Sequence, residues 1–166
     1  MVKPISADDI AMAALLRAAR AAYIDAVRKA LIEAGFDDMP RNGAYVLSAI
    51  AQGGGPVISA VAQGGASMAG IIRGLGVTKQ AAGQLIDTLV LRGYVERRED
   101  KEDRRKLTVA LTTTGEDAAR VIRKAASGVD AKLKKRVGEK AIAEARKVLF
   151  HLIAIANANA NEGQQS

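Results

Sequence analysis

Cysteine is absent from the 166 residues, and the single histidine is His151. Without thiols there can be no disulfide, thiolate metal site, cysteine nucleophile or thiol-based redox sensing. The lone imidazole lies inside an apolar helical pattern, VLFHLIAIA, with no positioned partner in the sequence. Neither imidazole catalysis nor a metal centre is expected from it. Glycine is plentiful, yet neither G-x-x-x-x-G-K-[ST] nor G-x-G-x-x-G occurs, and Gly74-Leu75-Gly76 falls between two helical patterns instead of after a strand. The expectation is a non-enzymatic protein without a cofactor. No segment approaches the roughly 18 apolar residues of a membrane span, and MVKPISADDI lacks a basic stretch followed by an apolar run. A soluble, cytoplasmic protein with no membrane partner is therefore expected.

Against these absences stand 49% hydrophobic residues and a formal charge of +7. The first is enough for one domain with a core, and the second favours a polyanionic partner. Charge alone does not separate DNA from RNA or an anionic surface.

Helical periodicity dominates the chain. From Asp8 to Ala34 the sequence has no Gly or Pro, and Leu16, Tyr23, Val27 and Leu31 recur at helical spacing. Ser6 is the expected N-cap and Gly35 the stop. A shorter helix is expected from Arg41 to Ala51, with Tyr45, Val46 and Ile50 on one face. A near-repeat follows, SAIAQGG at 48–54 and SAVAQGG at 59–65. Two copies of so short a unit cannot stack into a solenoid, so it reads as a local duplication.

Residues 67–92 carry the sharpest local signal: a cap at Ser67, a helix to about Leu75, the turn Gly76-Val77, and a second helix capped by Thr78. In the second helix Ala82, Leu85, Ile86 and Leu89 form one apolar stripe, which leaves Lys79, Gln80, Gly83, Gln84, Asp87 and Thr88 outward. Its exposed N-terminal half carries amide and ammonium groups suited to base edges and phosphates. Next, YVERR and LTVAL alternate as two short strands around the charged tip EDKEDRR, the pattern of a β-wing. In such a tip a carboxylate can orient one guanidinium while a second arginine reaches a narrow minor groove. Residues 112–137 and 139–157 are read as two further helices separated by Gly138, with Thr114 as cap and a polar tail beyond.

The run LGVTKQAAGQLIDTLVLRGYVERREDKEDRRKLTVALTTTGEDAAR, dense from Leu75 to Arg120, resembles the helix-turn-helix, wing and following helix of MarR-family regulators. The resemblance implies a mainly α fold with a small two- or three-stranded β-wing, a winged helix-turn-helix flanked by N- and C-terminal dimerisation helices. The expected organisation is 1–40 for the first dimerisation helix, 41–111 for the DNA-binding region with 53–66 inserted, and 112–166 for the last helices and tail. Partners implied are double-stranded DNA with a pseudo-palindromic operator, a second copy in a homodimer, and a small amphipathic or aromatic effector. By position, Thr78, Lys79, Gln80 and Gln84 would form the recognition face, with Arg73 near phosphate. Arg98, Lys101, Asp103, Arg104 and Arg105 would serve the wing, Arg105 in the minor groove and Asp103 as its orienting partner. Tyr23, Phe36, Tyr45 and Met68 are expected effector contacts near the junction of the two regions. Two departures are visible: the linker lengthened by the duplicated segment, and Ile72 where such motifs commonly carry alanine. Rival readings are a low-specificity architectural DNA-binding protein and an adaptor that binds protein instead of DNA.

Overall fold

A computed structural model describes residues 6–52, 75–99 and 107–162. Helix α1 spans Met12–Glu33 and α2 spans Gly43–Ala51. Helix α3 covers Lys79–Leu91, strands β1 and β2 cover Val95–Glu99 and Leu107–Leu111, and α4 runs from Thr113 to Glu162. The strands pair antiparallel, Val95 opposite Leu111 and Glu99 opposite Leu107. Among the described residues this two-stranded ribbon is the whole sheet, and no helix there is long and apolar enough to cross a membrane.

Two helices end in the same way. Gly35 (φ 83°) follows α1 and Gly93 (φ 72°) follows α3, each in the left-handed region that favours glycine. Behind them Phe36 N–H donates to Leu31 C=O at 2.8 Å, and Tyr94 N–H donates to Leu89 C=O at 2.9 Å. Both are Schellman closures in which the residue after glycine turns inward. Here the two inward residues meet, with ring centroids 6.1 Å apart at 56°. Tyr94 is 2% exposed, and its hydroxyl donates to Asp38 in the α1–α2 connection. The end of α1 is thereby joined to the end of α3. Around this joint the core gathers Leu31, Val46, Leu47, Ile86, Leu89, Val95, Val109 and Ile122.

Three local readings are corrected by tertiary contacts. Ser6 caps only a short 3-10 turn, Ala7–Asp9, and α1 begins after Ala11 with no side-chain cap. Thr112, not Thr114, caps α4: its Oγ1 accepts from Gly115 N–H at 3.1 Å and donates to Gly93 C=O at 2.5 Å. In α2, Val46 and Leu47 are both fully buried, while Tyr45 and Ile50 are half-buried, so the helix packs on two sides instead of one face.

Helix α4 has two arms. Gly138 (φ 81°, ψ 167°) breaks it where the sequence predicts an interruption. Arg146 nonetheless reaches Asp130 at 3.4 Å. Sixteen residues of straight helix would separate them by about 24 Å, so the chain doubles back at Gly138. Tyr23 of α1 donates to the same carboxylate at 2.5 Å, which locks α1 against the hairpin. The segments 53–74 and 100–106, including most of the duplicated segment and the expected helix from Ser67, lie outside the described residues.

Candidate nucleic-acid interface

The candidate surface starts at Thr78. Its extended backbone (φ −66°, ψ 157°) follows the left-handed Gly76, and its Oγ1 accepts from Ala81 N–H at 3.2 Å. That bond satisfies one of the free donors of the first turn of α3. Along the helix Ala82, Ile86 and Leu89 are fully buried, and Leu85 packs half-buried against the same core. The opposite side leaves Thr78, Lys79, Gln80, Gln84 and Asp87 exposed, while Gly83 and Thr88 are half-buried. An ammonium and two amides thus project from the positive end of a helix dipole. This combination attracts phosphate and can donate to or accept from base edges.

The ribbon stands beside α3 and is tied to it. Arg97 of β1 pairs with Asp87 of α3, a bridge not foreseen from the sequence. Its signal was an outward acid on α3 and an outward arginine on the next strand, ten residues apart across the Gly93 turn. Successive strand residues face opposite ways. With Arg97 directed to α3, Arg98 therefore faces the other side, where it pairs with Glu96 through an Nε–Oε1 contact of 2.6 Å. There Arg98 lines an open groove of about 600 Å³ between α2, β2 and α4, together with Arg120, Arg123 and the apolar Ile50, Ala110 and Leu111. Of the expected DNA-contacting residues, the structure brings Thr78, Lys79, Gln80 and Gln84 together and sets Arg98 apart from them. Arg73, Lys101, Asp103, Arg104 and Arg105 lie outside the described residues.

The three described effector candidates each have their own surroundings. Tyr23 is engaged with Asp130, and Phe36 packs against Tyr94. Tyr45 is half-buried, and burial raises its hydroxyl above the ordinary value of 10.0. None of these three lines the α2–β2–α4 groove, and Met68 lies outside the described residues.

A family model described as "MarR family" matches residues 37–106, from within the α1–α2 connection to the residue before β2. Over that span the sequence is similar to the MarR family. Solved structures extend the likeness of fold to nearly the whole chain. The reduced form of MarR from E. coli aligns with 20% identity over 86% of this chain and 96% of its own, with a TM-score of 0.62. A MarR-family transcriptional regulator from Rhodococcus sp. RHA1 aligns with 20% identity over 91% and 98%, with a TM-score of 0.64. CouR from Rhodococcus jostii RHA1, solved with p-coumaroyl-CoA, aligns with 21% identity over 84% and 89%, with a TM-score of 0.62. No curated protein sequence matches the chain significantly. In the winged-helix fold shared with these structures, β1 and β2 are the wing strands, α3 is the helix that precedes them, and α1 with the two arms of α4 lie outside the winged module.

Proposed function

We propose that this MarR-family protein is a sequence-specific DNA-binding transcription regulator that works as a homodimer and represses by occupying its operator. One observation carries the reading: a capped, core-anchored α3 presents Lys79, Gln80 and Gln84 to solvent beside a two-stranded ribbon. A helix held this way enters a major groove as a rigid body, and a ribbon beside it reaches toward the adjacent minor groove. Arg73 and the wing residues Lys101, Asp103, Arg104 and Arg105 are assigned to phosphate and minor-groove contacts. The dimer is supported by apolar side chains left in solvent on α1 and the second arm of α4. Among them are Met12, Leu16 and Ile24 on α1, and Val148, Phe150 and Ile155 on the arm. A spread of this size marks an interface.

The domain limits proposed are those expected from the sequence, 1–40, 41–111 and 112–166. An amphipathic effector acting at the junction of α1, α2 and the winged module, near Phe36, Tyr45, Met68 and Tyr23, would release the DNA by favouring a spacing of the recognition helices that no longer fits. Cytoplasmic placement follows from that role. Selection of duplexes from a randomised library tests the reading. The outcome expected is an inverted pair of half-sites about one helical turn apart, whose binding is lost in a Lys79→Ala, Gln84→Ala variant. Recovery of single, unpaired half-sites would count against the dimeric operator. No enrichment at all would count against sequence-specific reading.

A further inference from the structure

The positive charge of this chain is not concentrated in its DNA-reading module. Residues 41–111 hold ten Lys and Arg against six Asp and Glu, a net of +4 over 71 residues. Residues 120–147, the limbs and turn of the α4 hairpin, hold ten against three, a net of +7 over 28 residues. That equals the formal charge of the entire chain. The three acids there are already engaged: Asp130 with Tyr23 and Arg146, Glu139 with Lys134, and Glu144 with Lys147. Lys132, Lys135, Arg136 and Lys140 form no ion pair among the described residues, and every residue from 131 to 140 is exposed.

The cations surround the first arm on three sides. At 100° per residue, Leu133 and Val137 fall on one line of the first arm, Lys135 lies opposite that line, and Lys132, Lys134 and Arg136 flank it. Lys140 begins the returning arm across the turn. A bilayer-binding helix dips an apolar stripe into the lipid and spreads its cations along the edge. Here the apolar line holds only Leu133 and Val137, with no aromatic residue, too little to anchor in lipid, and cations cover the other three sides, which suits a partner that is phosphate throughout. The first arm, Thr113 to Val137, is about 36 Å long at 1.5 Å per residue. The hairpin tip therefore stands more than a duplex diameter from the wing strand that precedes Thr113, and a straight duplex seated on α3 meets it only if that duplex runs along the arm.

We propose that the α4 hairpin tip, through Lys132, Lys134, Lys135 and Arg136, is a second DNA-binding surface that holds the phosphate backbone of another duplex segment while α3 holds the first. The proposal takes the DNA reading of α3 as given for the first duplex only. The tip would bind without sequence preference, since ammonium and guanidinium groups on phosphate release counterions whatever the bases are. It would let one regulator bridge two stretches of DNA.

The test uses the full chain with two duplexes of about 30 base pairs and random sequence, one fixed to beads and one fluorescent in solution, at about 50 mM salt, where phosphate contacts are strongest. A tip variant (Lys132→Gln, Lys134→Gln, Lys135→Gln, Arg136→Gln) and a reading variant (Lys79→Ala, Gln80→Ala, Gln84→Ala) change only exposed side chains, and circular dichroism confirms that both fold. The result expected is that wild type captures the fluorescent duplex, and that the tip variant loses capture at least tenfold while still binding the beads. The reading variant should keep a salt-sensitive affinity for free duplex, and adding the tip substitutions to it should abolish that affinity. If the reading of α3 alone is wrong, wild type and reading variant bind alike and the tip variant is still impaired. Equal capture by wild type and tip variant overturns the proposal. So does tip-dependent binding of phosphatidylglycerol vesicles without tip-dependent binding of DNA, which would assign the surface to lipid.

Discussion

Gly115 shows how a single atom can be excluded. It lies in the first turn of α4, where a Cβ would stand 1.9 Å from the carbonyl oxygen of Tyr94. That neighbour is backbone, fixed by the Schellman closure of α3, and it also accepts from Thr112 N–H at 3.2 Å. Gly115→Ala should cost about 2–3 kcal/mol, read as a fall in Tm of roughly 5–10 °C. An unchanged Tm would show that α4 does not approach so closely. Tyr94 makes a second prediction. Burial first, and then its hydrogen bond to Asp38, push its hydroxyl well above the ordinary 10.0, so the folded state prefers the neutral form. The resulting stability is complete below pH 10 and drains away above it, as tyrosine in the unfolded chain releases its proton first. Tyr23 and Tyr45 are raised too and act in the same direction. Urea midpoints measured from about pH 8 to about pH 11 should therefore fall, and Tyr94→Phe should flatten the decline while lowering stability at pH 8 by about 1 kcal/mol. An equally steep decline in Tyr94→Phe would remove Tyr94 from the account.

Individual elements were legible in proportion to how local their causes are. The cap at Thr78, the stripe Ala82–Ile86–Leu89 and the glycine breaks at 35 and 138 all rest on contacts within a few residues, and each stands where its spacing predicts. The cap of α4 was not legible in this way. Thr112, Thr113 and Thr114 are chemically alike, and the choice falls on Thr112 because its hydroxyl can also donate to the Gly93 carbonyl, brought near by the strand pairing. The burial of Leu47 was hidden for a related reason, since α2 is covered on two sides and no single periodic face describes it. Arg98 was grouped with the DNA contacts by its nearness in sequence to the wing tip, but strand alternation turns it toward α4. For α3 itself, Thr78→Ala should destabilise the protein by about 1 kcal/mol and reduce DNA affinity in step, because the same turn carries Lys79 and Gln80. Thr78→Ser should restore most of both. A DNA defect that serine fails to rescue would mean that the Thr78 methyl contacts DNA directly.

At the scale of the whole molecule, the single chain leaves apolar surface uncovered. Exposed apolar residues lie along α1 and over a broad arc of the second arm of α4, where Val148, Leu149, Leu152 and Ile155 all face solvent. Light scattering at micromolar concentration should give about twice the chain mass of 17.4 kDa. A mass of one chain would remove the two-half-site mechanism. Charge is arranged on the same scale. The +7 read at first as a sign of a polyanionic partner is carried in greatest density by the α4 hairpin, and α3 itself bears one lysine and one aspartate. In the proposed function, specific contact at α3 and phosphate attraction elsewhere are therefore separable contributions. Fluorescence anisotropy across a salt series measures both at once, with the protein titrated onto the DNA upstream of its own coding region and onto random DNA of equal length. The account predicts saturable binding to the upstream fragment about a thousandfold tighter than to random DNA at physiological salt, with both affinities weakening as salt rises. Equal affinity for the two fragments at every salt concentration would contradict it.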